Sequence, residues 1–373
     1  MESSMGQHGA FQPAPTAQSQ NKPGLESIMT KPSESTKLEG LGGFYEYTGS
    51  GKLKDKKALI TGGDSGIGRS VAILMAREGA DITIVYLPSE QPDAEATKAS
   101  VEGEKRTCLL VPGDLRDRNL CRHAVDEHVK KYGTLNILVN NASKQYMCKI
   151  FEDIDLDKTE DIFRTNIVQM IAMAKFALPH MNRGDSIINT SSIVALRGSG
   201  TMIDYAATKG AIISFTRALA TYLIPKGIRV NAVAPGAIYT PIQVDTRDAQ
   251  QMEGWGHKVG LGRPGEPSEV ATSFIFLASA DASLYCEWSK SQDGDHAPIF
   301  FFCSFSDSIS TSRRANTVLL SPWRLKCLFL SDGLKWNHYT KATADRGRMS
   351  TGITAGIDSI LVIGFRMKCT WLT

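Results

Sequence analysis

Across residues 57–280 two hydrophobic patterns alternate. Short continuous apolar runs, such as Ile82-Thr83-Ile84-Val85 and Ile137-Leu138-Val139, suit strands covered on both faces. They predict strands over 57–61, 81–86, 106–111, 135–140, 185–190 and 228–233. Between them apolar residues recur with helical period and predict helices over 66–78, 92–103, 117–132, 158–181, 203–224 and 267–279. Alternation at this spacing specifies an α/β fold, a single doubly wound parallel-sheet domain of the Rossmann type, filling 51–285.

The flanks read differently. Residues 1–50 are rich in Ser, Gln, Pro and Gly with little periodicity, which predicts a flexible, mostly disordered arm. After about residue 284 the alternation stops. Apolar islands at 298–302, 325–330 and 359–365 stand among Ser, Arg and Asp stretches, and 286–373 takes no assigned fold.

Composition narrows the class of protein. A hydrophobic fraction of 42% with 22% charged residues is that of a soluble globular chain. Net charge +3 gives no reason to expect a nucleic-acid or membrane partner. The seven cysteines are scattered, with no CxxC and no cysteine–histidine cluster, so reduced thiols are expected, with no metal site and no disulfide framework. The polar N-terminus has no apolar signal region, and no apolar run approaches the roughly 20 residues of a membrane span. A cytoplasmic location is the expectation.

The candidate chemistry begins at Thr61-Gly62-Gly63-Asp64-Ser65-Gly66-Ile67-Gly68, where an apolar strand breaks into a glycine-rich turn and then a helix. Glycines there let the backbone approach a pyrophosphate, which the helix N-terminus attracts with unpaired N–H groups and positive dipole. Further on, Tyr205 and Lys209 lie one helical turn apart on the same face. Lowering a tyrosine pKa from about 10 to about 7 takes roughly 4 kcal/mol. A unit charge at about 4 Å in an effective dielectric near 20 supplies about that much, so the lysine is expected to prime the phenol for proton transfer. Ser192 closes the strand at 185–190, where a hydroxyl meets a substrate oxygen turning alkoxide-like.

Together these residues resemble the short-chain dehydrogenase/reductase family. Gly62, Ser65, Gly66, Ile67 and Gly68 match its cofactor turn, and Asn140-Asn141-Ala142 its strand-four motif. Asn166 matches its catalytic asparagine, and Ser192 stands 13 residues before Tyr205, at the family's spacing. Pro235-Gly236, with Ile238 and Thr240 following, matches the segment that contacts the nicotinamide carboxamide. The extended N-terminus and Tyr86-Leu87-Pro88 are similar to a subgroup that includes aldehyde reductases and glucose-dehydrogenase-like enzymes.

The resemblance implies hydride transfer between a nicotinamide cofactor and a carbonyl or alcohol substrate. Tyr205 is then the proton donor or acceptor and Ser192 holds the oxygen. Lys209 lowers the tyrosine pKa and binds the ribose, while Asn166 positions a water. Asp114 and Leu115 meet the adenine, and a homodimer or homotetramer is expected. Alternatives stay open. Asn166 is also placed to cap or kink its helix, Ser191 to replace Ser192, Asn140 and Asn141 to bond strands, and Asp114 to cap a loop. The substrate pocket is expected from 143–147, 194–198 and 238–261, with His257 either a substrate contact or an ordinary loop residue. Rival functions are an impaired cofactor-binding protein and a dehydratase or epimerase.

The second strand ends Tyr86-Leu87-Pro88-Ser89 without a carboxylate before Glu90. The acid that holds a free ribose 2′-hydroxyl and repels a 2′-phosphate is missing there, and Ser65, Tyr86 and Ser89 offer hydroxyls, which favours NADP(H) over NAD(H). Two positions depart from the family. Ser143 stands where the strand-four motif ends in glycine. From Cys286 an unrelated segment replaces the usual seventh strand, as a frameshifted or mis-spliced gene would produce, with 358–364 as a candidate for the vacant edge.

Overall fold

The computed structural model describes residues 17–40, 43–257, 259 and 261–286, with the backbone of 301–303. The chain divides into two compact units, Met1–Ile309 and Ser310–Thr373, the second of which lies outside the described residues.

The sheet is built outward from an inner strand of five residues, Lys57–Thr61 (β3). Its side chains alternate between two helix layers: Ala58 and Ile60 join one core, Leu59 the other, all fully buried. Each large aliphatic side chain so enclosed contributes roughly 1.5–3 kcal/mol. The same alternation runs through Asp81–Tyr86 (β4), Ile137–Asn140 (β6) and Ser186–Thr190 (β7), the physical origin of their unbroken apolar runs. With Cys108–Pro112 (β5) and Arg229–Pro235 (β8) they form a parallel sheet in the order β5-β4-β3-β6-β7-β8. Helices Gly66–Arg77 (α1), Gln91–Gly103 (α2) and Pro267–Ala278 (α10) cover one face. Arg118–Tyr132 (α3), Gln169–Ala177 (α5) and Ile203–Leu223 (α7) cover the other. This is the doubly wound Rossmann-type sheet expected from the alternation.

Three features differ from the sequence reading. The helix expected over 158–181 is interrupted. Leu156–Phe163 (α4) and α5 are joined by a π turn, Arg164–Val168, which carries Asn166. Short helices Val194–Arg197 (α6), Pro241–Val244 (α8) and Ala249–Met252 (α9) add to the loops after β7 and β8.

The second difference is the arm. Where the composition predicts disorder, residues 17–40 and 43–50 are built onto the domain, including a hairpin of Lys37–Gly40 (β1) and Gly43–Glu46 (β2). Glu26, 1% exposed, accepts from the N–H groups of Gly66 (3.0 Å) and Ser33 (2.6 Å). Asp93 in turn accepts from the N–H groups of Glu26 (2.6 Å) and Ser27 (3.0 Å). Gln18 donates to the Tyr239 hydroxyl at 2.6 Å, and Ser70 to the Ser35 carbonyl at 2.6 Å. Order here comes from partners far along the chain, which local composition does not register.

The third is the sheet edge. Phe301–Cys303 (β9) pairs parallel with β8, from Val233 opposite Phe301 to Pro235 opposite Cys303. The apolar island at 298–302 overlaps this strand. The islands at 325–330 and 359–365, including the candidate edge segment 358–364, lie outside the described residues.

Candidate active site

A cleft of about 470 Å³ opens where the strands end at their C-terminal edge, the usual ligand position of such sheets. Gly62, Ser65, Gly66 and Ile67 follow β3, Tyr86 ends β4, and Asp114 and Leu115 follow β5. Asn141 and Ala142 follow β6, Ser192 follows β7, and Pro235, Gly236, Ile238 and Thr240 end or follow β8. Tyr205 and Lys209 enter from the first two turns of α7.

The glycine turn is a cradle that side chains would fill. Gly62 and Gly66 hold φ of +61° and +49°, which suits glycine. A Cβ on Gly68 would stand 1.8 Å from the Gly62 carbonyl oxygen. Gly68 therefore lets helix and strand pack and does not itself line the cleft. Thr61 Oγ1 accepts from the N–H groups of Asn141 and Ala142, both at 3.0 Å, and Asn141 Nδ2 donates to Gly62 O at 3.0 Å. Because Glu26 already caps the Gly66 N–H, the arm shares the helix N-terminus with whatever anion the turn holds.

Asn140 also lies behind the cleft. Fully buried, it donates to Asn189 Oδ1 at 2.9 Å and ties β6 to β7, the strand-bonding alternative. Asn166, equally buried, donates from Nδ2 to Lys144 O (2.9 Å) and Thr208 Oγ1 (3.0 Å). Its Oδ1 accepts from Lys144 N (2.8 Å) and Ser143 Oγ (3.2 Å). The side-chain amide is thus occupied on both ends, and the π turn is what delivers it there, as such turns often do at functional sites.

At the centre, Ser192 and Ser143 both hydrogen-bond the Tyr205 phenol. Ser191 donates instead to Lys209 O at 2.9 Å, and of the two serines Ser192 is the one bonded to the phenol. Lys209 is 2% exposed, its Nζ donating to Thr190 O at 2.9 Å and lying 5.4 Å from the Tyr205 ring centre. Lys209 is not among the groups that hold the phenol's pKa down. Burial pushes Tyr205 up to about 12, opposed by the Ser192 hydrogen bond, the Arg247 charge and the Ser143 hydrogen bond. Burial alone brings Lys209 down to about 7, so near neutrality its own charge is half lost.

The end of the cleft expected to take the adenosine differs from expectation as well. Tyr86 lines it, yet its hydroxyl donates to Gln91 Oε1 at 2.5 Å, and Ser89 lies outside the lining. Asp64 and Glu90 line it instead. Asp64 is 2% exposed with Oδ2 unpartnered, and Glu90 accepts from Leu87 N at 3.0 Å. Burial raises both carboxyls, and the Asp64 charge adds to the rise at Glu90. Asp114 lines the cleft while paired with Arg116, whose hydrogen bonds hold its carboxyl below the usual range.

At the substrate end, Trp255 lines the cleft, whereas Met252 is buried in the core and His257 lies outside the lining. Ser143 and Arg247 fall within the segments expected to build the substrate pocket, without a role foreseen for either, and both line the cleft; Lys22 lines it too and was missed, carrying no signal beyond its charge.

The family model described as enoyl-(acyl carrier protein) reductase matches residues 62–286. An uncharacterized oxidoreductase of Bacillus subtilis, YhdF, is 49% identical over 262 residues, covering 70% of this chain and 88% of that protein. The chloroplastic NADPH-dependent aldehyde reductase 1 of Arabidopsis thaliana is 42% identical over 269 residues, covering 71% and 91%. The crystal structure of a short-chain dehydrogenase from Burkholderia cenocepacia in complex with NADP superposes with a TM-score of 0.59 at 31% identity. It covers 63% of this chain and 95% of that one. With this fold and this cleft, the chain belongs to the short-chain dehydrogenase/reductase family and is an oxidoreductase.

Proposed function

We propose that the protein is an NADP(H)-dependent carbonyl reductase or alcohol dehydrogenase, with Tyr205 exchanging the proton at the substrate oxygen. The observation that carries it is the convergence of Ser192, Ser143 and the Arg247 charge on the Tyr205 phenol inside the cleft. The glycine cradle and the helix N-terminus behind it fit a dinucleotide, with Asn141, Ala142, Pro235, Gly236, Ile238 and Thr240 along its nicotinamide half. The bound nicotinamide supplies the hydride.

The chain's own residues do the rest. Ser192 donates its hydroxyl to the carbonyl oxygen and holds it beside Tyr205. The phenol gives its proton to that oxygen during reduction and takes it back during oxidation. Ser143, bonded to both Tyr205 and Asn166, steadies the phenol and links it to the π turn. The protonated fraction of Lys209, about half near neutrality, places an ammonium beside the phenol and stabilises phenolate once the proton has passed to the substrate oxygen. Deprotonated Tyr205 is favoured further by Arg247.

Preference for NADP(H) rests on Glu90. Burial and the Asp64 charge raise its carboxyl, which weakens its repulsion of a 2′-phosphate. The NADP-bound neighbour and the NADPH-dependent relative support the same choice.

The test is steady-state reduction of aldehydes, ketones and quinones by NADPH and NADH. Tyr205→Phe should lower kcat by about 10²–10⁴-fold while leaving NADPH binding by fluorescence in place. Unchanged turnover in that variant overturns the mechanism. A kcat/KM for NADH equal to that for NADPH at pH 7 overturns the cofactor choice.

A further inference from the structure

Arg247 stands in the substrate half of the cleft with its charge directed at the reaction rather than at the fold. It lines the cavity with Tyr205, Ser192 and Trp255. Its guanidinium stacks 5.0 Å from the Trp255 ring centre and donates to the Gln243 side chain. Among the described residues it has no ion-pair partner. The obvious candidate, Asp245, is engaged by the arm: Oδ1 accepts from Lys22 Nζ at 2.6 Å and Oδ2 from Gly24 N at 3.0 Å. Lys144, also lining the cleft, is paired with Asp161 at 2.8 Å.

An arginine held over an aromatic face keeps N–H donors for a planar anion. A partly buried guanidinium whose nearest carboxylate, Asp245, acts on it only through space and is already bonded to Lys22 costs free energy, and an anionic ligand offsets that cost. Merely joining α8 to Trp255 needs only a neutral amide.

We propose that Arg247 is the anion-recognition residue of the substrate pocket, so that the preferred substrates are carbonyl compounds bearing a carboxylate or phosphate group. This rests on the carbonyl-reductase reading above and adds the substrate class. Lys22 contributes from a distance. By occupying Asp245 it keeps that carboxylate from pairing with Arg247, which makes the arm a positioning element for specificity.

The experiment compares three aldehydes of equal chain length, one unsubstituted, one ending in carboxylate and one in phosphate, with NADPH as reductant. Wild-type protein should favour an anionic aldehyde in kcat/KM by about 10- to 100-fold, the range of a charge-assisted hydrogen bond. The two anionic arms tell carboxylate from phosphate. Arg247→Gln should cut the anionic-to-neutral ratio about tenfold or more, through KM, while Arg247→Lys retains most of it. Lys22→Met should lower the ratio as well, with Arg247 intact. NADPH binding by fluorescence checks that each variant folds. Wild-type protein that reduces the neutral aldehyde without favouring either anion overturns the proposal, as does an unchanged ratio in Arg247→Gln. Folded, NADPH-binding protein that reduces no aldehyde, ketone or quinone overturns the carbonyl-reductase reading and this proposal with it.

Discussion

A lysine 2% exposed with only a backbone carbonyl as its hydrogen-bond partner is expensive to keep. Lys209 binds its proton at about 7 in the fold and at 10.5 when free. The unfolded chain therefore holds more protons between those values, and stability from this residue rises with pH across that window. Below pH 7 the full cost applies, a few kcal/mol. Lys209→Met should consequently melt at a higher temperature than the wild type at pH 6. The gap should narrow toward pH 10, while carbonyl reduction falls at every pH. Cofactor-free thermal melts across this range check it; equal melting temperatures at pH 6 would show that the buried ammonium is compensated. Tyr-x-x-x-Lys was visible as spacing. Its electrostatics were not, because a pair of sequence positions says nothing about how much water the fold removes.

At the scale of elements, the arm and the π turn do what a strand-and-helix reading could not foresee. Asn166 leaves regular helix to reach Lys144 and Thr208 at once. The arm, by contrast, threads a carboxylate into the cofactor turn. Glu26 satisfies Gly66 N–H at the start of α1, and removing a buried acceptor strands two donors. Glu26→Ala should therefore cost about 1–3 kcal/mol and, by freeing the Gly66 N–H and removing a like charge beside the pyrophosphate, tighten NADPH binding. Urea unfolding and a cofactor titration measure the two effects. Loss of stability with unaltered affinity would confine Glu26 to a purely structural part. The β3 and β4 bounds, 57–61 and 81–86, agree with the apolar pattern because both strands are enclosed on both faces. The arm's bounds did not, because nothing in Ser-Gln-Pro-Gly composition encodes a partner more than 30 residues away.

For the whole molecule, the family match ends at residue 286, and relatives that this chain covers by 88% and 91% account for only 70% and 71% of it. We propose that the catalytic domain is 51–285 with residues 1–50 as its arm, and that the segment from 286 arises from a frameshift or mis-splicing. Mass spectrometry of the native protein should then find no tryptic peptides from 290–373; finding them refutes the proposal. No helix among the described residues is long and apolar enough to cross a membrane.

The sequence by itself determined the sheet, the glycine cradle and the trio Ser192, Tyr205 and Lys209, since periodicity and fixed spacing are local properties that folding preserves. Only the tertiary structure decided the rest. It sent Asn140, Asn166 and Gly68 behind the cleft and set Ser143 against Tyr205. It brought Lys22 across 223 positions to Asp245, which leaves Arg247 its charge in the cleft. Burial and long-range pairing have no local signature, and here they set both the proton affinities and the shape of the substrate pocket.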